Sequence, residues 1–173
     1  SSYALELTAA LEGQFADIAD NSVSTFVNET GAVLAYGGLG AVNATGSVGN
    51  SVKTISNVAD TVAGVIALTY VDESATDTNS RPGVKDDQAV NVLSKGVVAV
   101  YCVEAVDLTD AVRVYHHADT GVTSGSFAGR FAATAAANKT AVLGGARWVS
   151  KTSAAGIALL ELNGPDFSLT ADT

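Results

Sequence analysis

The chain reads as a mostly β protein whose strands form a sandwich or barrel, and three features of the sequence predict this. Seventeen glycines and abundant Ser and Thr punctuate 173 residues, as expected where many turns join short strands. The hydrophobic fraction, 47%, is carried by Ala and Val rather than by aromatics, which make up only 6%. Several segments alternate apolar and polar residues, and two are apolar on both faces, a pattern that needs cover on each side of the sheet.

Residues 1–20 fit two descriptions. Leu7, Leu11, Phe15 and Ile18 fall at helical spacing, whereas Tyr3, Leu5 and Leu7 alternate as in a strand. Gly13 weakens a helix by about 1 kcal/mol relative to Ala. The segment is therefore expected to be an extended or partly helical arm, with much of it packed on a neighbouring chain. From 21 to 57, short apolar pieces such as STFV and AVLAYG lie among Gly, Asn, Ser and Thr, which predicts short strands and turns. VAGVIALTYV (62–71) is a strand candidate. The polar run 72–87, with one of the two prolines, is expected to be a long surface loop.

QAVNVL and VVAVYCVEAV are separated by SKG, a spacing that predicts a β-hairpin over 88–104. AVRVYHH follows as a further strand. In 97–103, Val97, Ala99, Tyr101 and Val103 oppose Val98, Val100 and Cys102. In GIALLEL, Ile157 and Leu159 oppose Ala158, Leu160 and Leu162. Such double coating in a small domain suggests that subunits pack on one another. GGARWVSKTSAAGIALLELNG (144–164) reads as two strands around a small-residue turn, with Trp148, the only tryptophan, anchoring a core or subunit contact. The chain thus divides into an N-terminal arm (1–20), a β-domain (21–165) and a polar C-terminal tail (166–173).

Charge limits the partners. Nine basic residues against eighteen acidic ones give a formal charge of −9, and the basic residues are scattered singly. A nucleic-acid binder needs clustered Lys and Arg, so none is expected. The longest apolar run, VAGVIAL, is far short of a helical membrane span, and no secretory leader is apparent in SSYALELTAA. The single Cys102 permits no intrachain disulfide and is expected to be a buried small hydrophobe.

Chemistry is sparse. His116 and His117 are adjacent, so on a strand they face opposite ways and do not chelate one ion together. A surface strand end is the expected setting for both. Ser124 and Ser126 lack a nucleophile-elbow context, and GGLG and GSFAG match no dinucleotide or phosphate fingerprint. No catalytic residue, cofactor or metal is assigned, and a structural role is expected.

The order of ALEGQFAD (10–17), AVLAYGGLGAV (32–42), VNVLSKGVVAVYCVEAVDLTDAVRVYHHADTGVTSGSF (90–127) and GGARWVSKTSAAGIALLELNGP (144–165) resembles the cement, or head decoration, proteins of tailed bacteriophages. The resemblance covers roughly 10–165. It implies a small antiparallel β-barrel or jelly-roll-like domain that forms a homotrimer. It further implies a place on the outer capsid surface of the virion, clamping major capsid subunits, after synthesis in the host cytoplasm. The residues expected at interfaces are Tyr3, Leu5, Leu7, Leu11 and Phe15 of the arm, with Tyr101 and Trp148. A carbohydrate-binding or adhesin module is the alternative, although such sites display exposed aromatics, and few are available here.

Overall fold

The computed structural model describes residues 11–16, 20–69, 75–118 and 126–173, and among them there are fourteen strands and no helix. The first five are β1 (Ser22–Asn28), β2 (Leu34–Ala35), β3 (Leu39–Val42), β4 (Ser51–Thr54) and β5 (Val62–Ile66). Next come β6 (Ala75–Thr76), β7 (Pro82–Val84), β8 (Ala89–Cys102), β9 (Arg113–Tyr115) and β10 (Phe131–Ala132). The last four are β11 (Thr140–Gly144), β12 (Ala146–Trp148), β13 (Gly156–Asn163) and β14 (Ser168–Ala171).

Five strands close a barrel. β1 pairs with β4 in parallel, and β4–β3, β3–β5, β5–β8 and β8–β1 pair antiparallel, which returns the ladder to its start. Closure removes the open edges that a lone sheet would expose. A buried cluster of Val52, Ile66, Val90 and Val92, with Phe26 packed against it, draws side chains from β4, β5, β8 and β1. β3 faces this cluster with Gly40, whose missing side chain leaves room for Val52 and Ile66. Leu34, Tyr36 and Val84, on and beside a small sheet ordered β2-β7-β6, join the same cluster and cap it.

The opposite faces of those strands build the main core. Leu39, Val65 and Leu93 pack with Val98, Val100 and Cys102 of β8, Val114 of β9 and Phe131 of β10. Leu143, Trp148, Ala158, Leu160 and Leu162 complete the cluster from β11, β12 and β13. The period of two along each strand sends neighbouring residues to different cores. β8, fourteen residues and about 45 Å long, is the shared wall. It explains the doubly apolar run. Val98, Val100 and Cys102 face the main core, while Ala99 and Val103 are buried on the other side. This chain supplies that cover itself, so the pattern does not by itself call for a second subunit.

The 88–104 hairpin is not formed. Residues 89–102 run as one strand, and Ser94–Gly96 mark a bulge where β8 exchanges partners, Ser22 pairing with Lys95 and Val23 with Leu93. β13 takes over from Asn163↔Lys95 to Gly156↔Cys102. Gly96 has φ +129°, and a Cβ there would collide with Asn21. Glycine serves a bulge as readily as a turn, and local sequence does not separate the two.

Two further segments differ from expectation. The 72–87 loop carries a hairpin, β6 and β7, whose turn is held by the Asp77 carboxylate accepting from the Asn79 and Arg81 N–H groups, each near 2.9 Å. Gly83 lets β7 lie directly against the Leu34 backbone, a contact that leaves no hydrophobic periodicity to read. The 166–173 tail contains β14, which pairs with β11 while Phe167 and Leu169 pack on the main core. Only two apolar side chains carry that strand, and the polar ones are satisfied locally. Asp172 accepts from Thr140 Oγ1 at 2.6 Å and pairs with Arg113 at 3.2 Å. The hairpin expected at 144–164 is present, with Trp148 opposite Leu160 and Arg147 opposite Glu161.

Candidate functional site

The described part of the N-terminal arm is stitched to its own barrel. Gly13 N–H donates to the Ala99 carbonyl at 2.8 Å, Ala99 N–H to Gln14 at 2.9 Å and Ala16 N–H to Val97 at 3.0 Å. Phe15 bridges to Val98 of β8. Gly13, at φ +80°, also approaches the backbone of Ile66 and Leu68 too closely for any side chain. Residues 11–16 are thus a turn and an extended step, not a helix. Leu11 and Phe15 are 55% and 40% exposed, so this segment displays apolar surface next to a rigid anchor. Tyr3, Leu5 and Leu7 lie outside the described residues, and the expectation of packing on a neighbouring chain rests on that portion.

A stacked charge cluster locks the anchor. Glu12 pairs with Arg130 at 3.1 Å, and the Arg130 guanidinium lies 4.1 Å from the Tyr101 ring centre and 5.3 Å from that of Phe127. Arg81 lies 4.7 Å from the Phe127 ring and pairs with Asp77 at 2.8 Å. Burial pushes the Glu12 carboxyl above its ordinary range, partly offset by Arg130 and Arg81. Tyr101, expected at an interface, is half-buried here as the platform for Arg130. Trp148 is 3% exposed and meets Phe131 edge-on at 6.2 Å, so of its two expected roles it fills the core one.

Beside the cluster lies an open groove of about 510 Å³ lined by Thr54, Thr76, Asp77, Asn79, Arg81 and Phe127 among others. A sugar site needs an aromatic face for stacking. Among the described residues, the one aromatic lining this groove, Phe127, is already engaged by two guanidinium groups.

The histidines are not both at the surface. His117 is exposed, but His116 is buried beneath the Lys139 turn, to whose carbonyl its N–H donates at 2.9 Å. Their rings meet edge-on at 4.9 Å, and neither ring nitrogen of His116 has a hydrogen-bond partner among the described residues. Desolvation, then the neighbouring His117, holds the His116 pKa below its ordinary value. A depressed folded-state pKa leaves stability intact above the unfolded value and removes it as pH falls below. Lowering the pH from 7 to 5 should therefore lower the melting temperature, and His116→Gln should flatten that slope. Equal slopes for both proteins would show that His116 carries no such penalty. Burial pushes the Cys102 thiol up to about 11, so it stays neutral.

Among the described residues, no group of three or more His, Cys, Asp or Glu side chains converges on a metal position. What the fold presents is a double-core β body with an anchored arm. Residues 1–163 match the family model of the structural cement protein (E217 gp24/Pam3 gp6), and the chain belongs to that family of phage capsid structural proteins. A chain from the capsid of Myoviridae phage XM1 is similar in fold, with a TM-score of 0.65 and 18% identity over 89% of this chain and 90% of that one. No curated protein matches the sequence.

Proposed function

We propose that this protein binds the outer surface of a phage head as a homotrimer and stabilises contacts between major capsid subunits. The family match over 163 residues carries this reading. Surface chemistry supports it. Among the described residues, Lys53, Arg81, Arg113, Arg130, Arg147 and Lys151 pair with carboxylates of their own chain, and the formal charge of −9 gives a net acidic protein suited to basic patches on a shell. The exposed Leu11 and Phe15 add an apolar component that salt does not screen.

Three equivalent contacts per trimer combine through effective concentration, so modest single contacts give tight attachment. Binding to the assembled shell alone shifts the shell toward its intact state. Particles stripped of the protein should release their genome at lower temperature than particles to which it is added back. High salt should weaken attachment only in part. Equal release temperatures with and without the bound protein would remove the cement role.

A further inference from the structure

We propose that His116 works as an acid-sensitive latch: when its ring takes up a proton, the turn 136–139 lifts and the end of β14 loosens, while both cores stay closed. The geometry that carries this is a buried imidazole with nothing to bind. His116 is 7% exposed, and Nδ1 and Nε2 are both shut off from solvent without a hydrogen-bond partner. A neutral ring tolerates that setting. An imidazolium has two N–H donors and a full charge, and burying such a group unpaired is strongly disfavoured.

The charged groups around the ring come from each element packed on it. His117, next in the chain, meets it edge-on at 4.9 Å. Asp172, at the end of β14, pairs with Arg113 of β9 at 3.2 Å, and Asp60, in the turn after β4, pairs with Lys53 at 3.0 Å. Lys139 lies in the covering turn, its carbonyl accepting from His116 N–H at 2.9 Å. Burial and His117 disfavour the charged ring. The Thr140 carbonyl, Asp172 and Asp60 favour it and are outweighed.

The part that yields is the turn. β9 is held on both sides, with Val114 paired to Phe131 of β10 and to Ala141 of β11. Tyr115 adds backbone bonds to Arg130 and Gly129 at 2.8 and 2.7 Å. The turn is thinner. Ala137 and Asn138 are exposed, Asn138 sits in the left-handed region at φ +61°, and Ala136 supplies the packing, against Val103, Tyr115 and Ala132. Lys139 and Thr140 N–H close the turn on the Ala136 carbonyl, each at 3.0 Å. Asn138 N–H donates to the Asp172 carbonyl at 3.0 Å, which ties the turn to β14, where Ser168, Thr170 and Ala171 are exposed. Segments with little buried apolar surface open locally before the molecule unfolds. Lifting the turn lets water reach both ring nitrogens, and the ring then titrates as a free imidazole near 6.5. The closed state holds the ring below that value, so closure is fully stable above about 6.5 and weakens as pH falls.

Amide hydrogen exchange on the full chain tests this without capsid, so its outcome is separate from that of the cement reading. With rates corrected for their intrinsic pH dependence, protection of the Asn138, Lys139 and Thr140 amides should fall between pH 7 and pH 5. One imidazole freed to titrate near 6.5 limits that fall to about 25-fold. Protection in β8 and β13 should hold. NMR titration of the unaltered chain should show the His116 ring protonating below the pH of a free imidazole, in step with the fall. His116→Gln keeps a neutral polar group and should flatten the pH response of the turn. A ring that titrates while the turn stays protected would overturn the proposal, because the side chain then swings out alone. So would an equal loss of protection in β8 and β13, which is global unfolding, or a fall in His116→Gln as large as in the parent.

Discussion

Trp148→Ala should lower stability by about 3–5 kcal/mol, the cost of deleting a large buried aromatic and leaving a cavity. For a chain of this size that is a fall in melting temperature of about 10 °C or more. Trp148 closes the main core between β12 and β13 and meets Phe131 edge-on, so its removal unpacks two strands and a ring partner together. Trp148→Phe keeps an aromatic ring, and Nε1 has no hydrogen-bond partner among the described residues to lose. Its cost should be well under half. Circular dichroism is the suitable readout, because the substitution removes the only tryptophan. A Trp148→Ala protein that melts within about 2 °C of the parent would mean that Trp148 is not a core residue.

Gly64→Ala should be similarly damaging for a different reason. Gly64 sits in β5 at φ +142°, and a Cβ there would overlap the Leu93 carbonyl of β8. Relief requires β5 to move off β8, the seam that closes the barrel. Overpacking and left-handed backbone together cost about 3 kcal/mol or more. Gly31→Ala is the control, since Gly31 has φ +73° with nothing within 4 Å of its Cβ position. It should lose only about 1 kcal/mol. Equal losses for the two variants would show that backbone conformation, and not the β5–β8 contact, sets the cost.

Strand identity was legible wherever side chains alternate over several residues. STFV, VAGVI, AVRVY and the 144–164 hairpin all appear as β1, β5, β9 and β12–β13. The buried thiol of Cys102 was legible as well, because an isolated cysteine in an apolar run has no other solvent-excluded use. Segments held by backbone and polar contacts were not. β7 depends on Gly83 lying against Leu34, and β14 on two apolar residues and the Asp172 bonds to Thr140 and Arg113. SKG carries the composition of a turn, and only the exchange of β1 for β13 along β8 makes it a bulge.

The candidate surfaces divide along the same line. Leu11 and Phe15 were identifiable as apolar residues in a weakly patterned segment, and they are exposed. The cluster of Glu12, Arg130, Tyr101, Phe127, Arg81 and Asp77 was not, because its members come from four separate stretches with no shared spacing. His116 was misjudged for that reason too: its cover comes from the Lys139 turn, more than twenty residues away.

By itself the sequence determined that this is an acidic, strand-rich protein with apolar residues enough for two faces of its central strands. Periodicity and composition act locally, and each residue carries that information. Tertiary structure alone decided that the second face of β8 is covered within the chain and that five strands close a barrel. Those outcomes depend on which distant segments share hydrogen bonds, and pairing partners are chosen by burial across the whole molecule rather than by neighbours in sequence.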